Sequence, residues 1–225
     1  MKRGVLLLVT AALILAAAGC QGEAPTPTAA PARQPTPTEE ATDTASSGDT
    51  VITVKGVRLG IQVPTGWEVQ NTEDGLLMAE HFGPMDSGTM VYGMQIHLFV
   101  HVMADEAASG TNIAWSALKE ITAQPSYIGK ARVSEPKGFD WDNHDAAYYL
   151  GNNGDGNLML VIGVALGDSG RLVVCNVTSR VDKVARIRTL VPQVLSSLTV
   201  NGATMNTGDL MVALPDPLVF PGYNR

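Results

Sequence analysis

Residues 144–178 read HDAAYYLGNNGDGNLMLVIGVALGDSGRLVVCNVT, and this stretch decides the fold. It holds three apolar runs, 144–151, 158–166 and 172–178, rich in the aliphatic and aromatic residues that suit a pleated surface. Asn153-Gly154-Asp155-Gly156 and Gly167-Asp168-Ser169-Gly170 separate them. Gly and Asn/Asp clusters between such runs predict hairpin turns, so the stretch reads as an antiparallel meander.

Working outward, 131–134 reads as a further strand, and residues 111–123 switch period. Ile113, Ala114, Ala117, Leu118 and Ile121 share one helical face, Thr111 or Asn112 is placed to cap it, and Pro125 lies beyond its end. Upstream, Val57, Leu59, Ile61 and Val63 alternate with Arg58, Gly60 and Gln62 as in a half-buried strand, which Pro64-Thr65-Gly66 turns into Trp67. Further strands are expected at 76–80 and 91–103. Downstream, Val184, Ile187, Val191, Val194, Leu195 and Leu198 form a helical stripe with Asp182 as its expected cap. Pro192 should kink that helix or divide it. Strands, a helix, a meander and a closing helix argue one α+β domain over 51–200, its antiparallel sheet flanked by helices.

Three pieces carry a family resemblance. Gly60-Ile61-Gln62-Val63-Pro64-Thr65-Gly66-Trp67-Glu68-Val69 resembles the early strand and Pro-x-Gly-Trp element of the PsbP-like and DcrB-like group. Asp145-Ala146-Ala147-Tyr148-Tyr149-Leu150 is similar to its mid-domain strand, and Val194-Leu195-Ser196-Ser197-Leu198 to its closing helix-to-strand element. The resemblance implies an α/β/α sandwich and, in the best-known members, a non-enzymatic role assisting membrane-associated assemblies such as photosystems. Nothing in this chain marks a photosynthetic partner.

The N-terminus speaks to location. Met1-Lys2-Arg3 is a basic start, 5–18 is apolar apart from Thr10, and Ala17-Ala18-Gly19 precedes Cys20. Fourteen residues are too few to cross a hydrocarbon core, which needs about 20. The pattern resembles a bacterial lipobox, with Ala17 where leucine is commoner, and implies removal of 1–19 and a diacylglycerol thioether on Cys20. A plain secretory signal using the same small residues is the rival reading. Two acyl chains, at about 0.8 kcal/mol per buried methylene, anchor a protein stably where one is marginal. Residues 20–50 then carry Pro25, Pro27, Pro31, Pro35 and Pro37, with no aliphatic side chain larger than alanine. Such a linker is expected to be disordered, spanning roughly 30 Å as a coil and about 90 Å at full extension. It serves either as a stalk or as an inert tether.

Charge and cysteines narrow the partners. Losing Lys2 and Arg3 with the leader reduces the 15 basic residues to 13 against 22 acidic ones, a formal charge of −9. That balance argues against nucleic acid and against electrostatic adhesion to anionic headgroups. Cys175 is the only cysteine besides Cys20, so acylation of Cys20 rules out an intrachain disulfide. Within its apolar run Cys175 reads as a buried, inert thiol.

Candidate chemistry is sparse. His97 and His101 would share a metal if helical, but in a strand residues four apart are separated by about 13 Å, beyond one zinc with bonds of about 2.1 Å. Asp140, Asp142 and Asp145, in Asp140-Trp141-Asp142-Asn143-His144-Asp145, are the candidate oxygen ligands for a cation such as calcium. They lack the glycine and distal glutamate of an EF-hand, and a solvated turn is the competing reading. There is no Gly-x-Ser-x-Gly elbow, and the glycine-rich run 151–156 lacks the order of a phosphate loop. Trp67, Trp115 and Trp141 fall on separate elements, which suits core or edge positions better than a shared platform.

In the extension 201–225, Leu210, Val212 and Leu214 alternate before Pro215-Asp216-Pro217-Leu218-Val219-Phe220-Pro221. It is expected either to fold back over an edge or groove of its own domain or to offer a strand to a partner. No catalytic residue and no cofactor are expected. The function expected is that of a lipid-anchored, extracytoplasmic, non-enzymatic binding or accessory module for a protein or envelope component. The alternative is an envelope enzyme or metal-dependent binder using the Asp140 to Asp145 loop.

Overall fold

The computed structural model describes residues 48–85, 88–103 and 111–222. The leader, Cys20 and the linker up to residue 47 lie outside the described residues.

The meander forms β8 (His144–Asn152), β9 (Asn157–Ala165) and β10 (Arg171–Arg180), paired antiparallel with Tyr148 opposite Ile162 and Cys175 opposite Ile162 on its other side. Their side chains alternate between two cores. Tyr148, Leu150, Leu160, Ile162, Val173, Cys175 and Val177 enter one, and Ala147, Tyr149, Val161, Ala165, Leu172 and Val174 the other. Burial on both faces explains why these strands read as unbroken apolar runs.

β10 also pairs with the long β5 (Gly88–Val102), which forms a hairpin with β4 (Gly75–Met85), and β3 (Glu68–Asn71) completes that side. β7 (Lys137–Trp141) and the short β6 (Arg132–Val133) both pair with β8 at the other edge. A second antiparallel sheet joins β1 (Asp49–Val54), β2 (Val57–Gln62), β11 (Thr199–Val200) and β12 (Ala203–Thr204). The expected strand 76–80 is part of β4, and the expected strand 91–103 matches β5 as far as Val102. A bulge between Ala79 and His81 breaks the alternation beyond them, so the rest of that hairpin was not legible.

α1 (Ile113–Ala123) lies on one face of the large sheet with Ala114 and Leu118 buried, and a single turn, α2 (Pro125–Ile128), follows it. The small sheet, α3 (Ile187–Leu195) and α4 (Thr207–Ala213) enclose the larger core on the opposite face. The fold is α+β, with an antiparallel sheet between helical layers, as the sequence predicts.

Three expectations are corrected. A 3-10 segment, Val181–Arg186, precedes α3, so the closing helix divides at Arg186 and not at Pro192, which stays inside α3 on a half-exposed side. There water can serve the carbonyl that a proline leaves without its N–H. Asp182 caps nothing; its carboxylate meets Arg180 Nε at 3.3 Å. The tail residues Leu210, Val212 and Leu214 do not alternate along a strand. α4 buries Leu210 and leaves Val212 89% exposed, and Leu214, the residue that ends the helix, is buried just beyond it. With Met205, these residues join residues 201–222 to the core of the domain.

Glu80 fixes the bulge. Its Oε2 accepts from the Met94 amide at 2.9 Å and its Oε1 from Arg186 Nη1 at 2.5 Å, tying the 3-10 segment to the sheet. Burial works against the charge on Glu80, but the amide and the guanidinium outweigh it and hold the carboxyl below its ordinary range. Gly93 makes room with φ +79, and a Cβ there would stand 1.9 Å from Glu80 Oε2. Gly56, at φ +82, has nothing within 4 Å of such a Cβ. Gly56→Ala should therefore cost only backbone strain, about 1–2 kcal/mol. Gly93→Ala should cost at least about 2 kcal/mol more, because displacing Glu80 strips a buried amide and a guanidinium of their acceptor. Urea unfolding of both variants checks this, and equal losses would refute the role of Glu80.

Candidate functional site

α1 covers only part of its face. It packs on β7, β8 and β9, and its first turn is pinned to the β7–β8 hairpin. The Asn112 side chain accepts from the Trp115 amide at 2.8 Å and donates to the Ala146 carbonyl at 3.0 Å, while Asp145 Oδ2 accepts from the Ile113 amide at 2.7 Å. A carboxylate at this end also meets the positive pole of the helix.

Beyond α1, towards β3, the same face carries side chains that remain half exposed. Leu77 on β4 stands opposite His97 on β5, His97 opposite Asn176 on β10, Gln95 opposite Thr178, and Thr178 opposite Met159 on β9. The result is a flat patch of amide, hydroxyl, imidazole and aliphatic groups on a rigid sheet. The signal for it lies in β10. Leu172 and Val174 give way to Asn176 and Thr178 on this face, while Val173, Cys175 and Val177 stay apolar on the other. Sequence reasoning stopped at the apolar run and missed that change of character.

His97 is the best-held group of the patch. Its Nε2 lies 3.2 Å from Thr72 Oγ1 and 3.5 Å from Asp74 Oδ1, Thr72 itself donates to Asp74 Oδ1 at 3.0 Å, and the ring packs on Phe99 with centroids 4.8 Å apart. With the hydroxyl hydrogen committed to Asp74, Nε2 is the donor and Nδ1 the free acceptor of a neutral imidazole. Hydroxyl and carboxylate sit on the same ring nitrogen. A nucleophile relay needs them on opposite nitrogens, so this geometry orients a hydrogen-bonding ring and does not activate Thr72. Burial pushes the His97 pKa down, with Asp74 opposing. His101, on the same face of β5, is also pushed down, by burial and by the nearby Lys55 charge, against Glu120. The two histidines have separate surroundings, as expected for a strand.

The other sequence candidates are dispersed. Asp145 is taken up by the start of α1, and the Asp142 amide donates to Asp209 Oδ2 at 3.2 Å, within a turn where Asp142 and Asn143 have φ of 53 and 63. Asp140 stands opposite Asp145 across the hairpin. Among the described residues no three His, Cys, Asp or Glu side chains are grouped to hold a metal ion. In the 151–156 turn, Asn152 Oδ1 accepts from Gly154, and Asn153 Oδ1 from Asp155 and Asn157, so its amides serve the turn itself. Trp67 and Trp141 pack in the larger core and Trp115 in the smaller, with no shared platform. Cys175 is buried, and burial pushes its thiol up to about 12, which makes it inert. An open groove of about 430 Å³ lies between the Pro64 turn and α3, lined by Gln62, Val63, Pro64, Thr65, Leu190, Gln193 and Val194, none of them titratable.

The lowered histidine pKa values give the domain a pH dependence with a definite sign. The folded state takes up these protons later than the unfolded chain, whose imidazoles titrate near 6.5. Stability is therefore full above that pH and falls as pH drops from about 6.5 towards the depressed folded values. Glu68, held low by the Phe82 amide and His81, and Glu80 act only below their ordinary 4.5. Unfolding free energy should fall between about pH 7.5 and 5.5, and His97→Gln with His101→Gln should flatten that slope. An unchanged slope in the double variant would refute the assignment.

No protein-family model matches the chain, and no curated protein matches it. In structure it is similar to cyanobacterial PsbP (CyanoP) from Synechocystis sp. PCC 6803, at 13% identity and a TM-score of 0.46, over 73% of this chain and 99% of that one. It is also similar to the Saccharomyces cerevisiae Ran-binding protein Mog1p, at 10% identity and a TM-score of 0.38, over 64% of this chain and 84% of that one.

Proposed function

We propose that this chain is a lipid-anchored extracytoplasmic protein whose domain is a non-enzymatic binding or accessory module for a protein or envelope component. The open part of the large sheet is its contact surface. The observation that carries this reading is the row Leu77, His97 and Asn176 beside Gln95, Thr178 and Met159, half exposed on strands whose opposite face is core. Strands buried on one side cannot shift, so donors and acceptors are presented without an ordering cost, which favours recognition. The leader ending at Cys20, followed by a proline-rich linker, supports a tethered arrangement with the domain held off the membrane.

Two experiments test the two halves. Cys20→Ala with the leader intact should release the protein from a salt-washed membrane fraction, and retention would sink the anchor. Crosslinking in intact membranes should recover a stoichiometric partner that Thr178→Arg reduces at least tenfold with an unchanged melting temperature. Val212→Arg, at an exposed position on α4 in the opposite layer, should leave recovery intact. Equal recovery from all three proteins would move the contact elsewhere.

A further inference from the structure

Beyond α4 the chain leaves regular secondary structure, bends at Leu214, Asp216 and Pro217, and then runs without a bend through residues 218–222, with Pro215, Pro217 and Pro221 along it. Prolines cannot donate to a ladder, and side chains of other elements hold this strap instead. At one end Arg188 of α3 donates through Nη1 to the Leu214 carbonyl at 3.0 Å and to that of Pro215, and its Nη2 lies 3.5 Å from Asp216 Oδ2. At the other end Asn152 of β8 donates to the Pro221 carbonyl at 3.1 Å and Arg132 of β6 to that of Gly222 at 3.3 Å. In between, Leu218 and Phe220 pack against the larger core yet stay half exposed, and Val219 between them is 70% exposed. Leu210 and Leu214, just before the strap, are by contrast 0% and 4% exposed.

Cationic and amide clamps on main-chain carbonyls, with alternate side chains as anchors, are how a groove holds an extended peptide. We propose that residues 215–222 are the cis occupant of a peptide groove between α3 and the β6–β8 edge. Its trans ligand is an extended partner segment with the apolar-x-apolar-Pro chemistry of Leu218-Val219-Phe220-Pro221. The cis occupant displays that specificity directly, with two apolar anchors two residues apart and carbonyl clamps at both ends. A second copy of this chain fits less well. Its strap is tied to its own core by Leu214, so only the residues beyond could cross. The groove lies on the opposite side of the large sheet from the open face and stands independently of it.

An intramolecular occupant competes at an effective concentration of about millimolar, so a free peptide sees the groove only when the strap is loosened. The experiment uses the full chain and a fluorescent peptide of residues 215–222, read by anisotropy. Phe220→Ser alters the occupant and leaves the groove intact. That variant should bind the peptide at least tenfold more tightly than the unaltered protein, and a peptide carrying the same Phe→Ser change should not bind. Asp216→Ala, at a 76% exposed carboxylate, frees one clamp and should raise affinity about threefold; if Phe220→Ser does not fold, this variant decides. Folded variants with no gain in affinity would overturn the proposal. So would a concentration-dependent dimer that Phe220→Ser abolishes, since the groove would then belong to a second copy.

Discussion

The constraint on which the structure depends is that β8, β9 and β10 are apolar on both faces. A strand such as Leu172-Val173-Val174-Cys175 has no side to give to water, so the sheet has to be covered twice. Two chemically different covers meet that demand. On one side α1 sets Ala114 and Leu118 against Ala147, Val161 and Val174; on the other the small sheet, α3 and α4 close over Leu160, Ile162 and Val173. At about 25 cal/mol per Å², each large side chain in these cores contributes on the order of 2 kcal/mol, more than any surface ion pair in the molecule.

The covers differ in extent, and the open surface follows from that difference. Eleven residues of α1 make a rod about 16 Å long and about 10 Å across, whereas seven strands at about 4.8 Å spacing make a sheet about 29 Å wide. One short helix shields two or three strands. Sequence composition respects the limit, since the outward positions of β10 turn from Leu172 and Val174 to Asn176 and Thr178 where the helix ends. On the other face β5 stays apolar throughout with Met94, Ile96, Leu98 and Val100, because the larger cover reaches that far. The patch is therefore a consequence of geometry that the sequence has made compatible with water.

What the sequence made legible divides along the same line. Elements with a sustained period were readable. The meander, α1 with its Asn112 cap, and β2 with its Pro64 turn all follow from local pattern and local chemistry. Short or interrupted elements were not. β3 and β7 span four and five residues and exist because a neighbouring strand offers them a ladder, whereas the two residues of β6 fall inside the expected strand 131–134. Leu210, Val212 and Leu214 fit a strand or a helix equally over five positions, and only the core beneath α4 decides between them. The site was least legible of all. Thr72 and Asp74 reach His97 across a hairpin, and Arg188 reaches Leu214 and Pro215 from another element, so neither grouping leaves a spacing in the chain.

The two surfaces differ in how firmly they are built, and this bears on what each can do. The open face rests on paired strands with core beneath, so a partner there meets fixed groups and ordering costs it little. The strap has two half-buried anchors and a handful of side-chain clamps, which places it among the parts of a fold that open at small cost. A rigid face gives a constant affinity, whereas an occupied groove gives one that depends on displacing its occupant. A domain carrying both can stay engaged through one surface while the other answers only to a ligand that outcompetes its own chain.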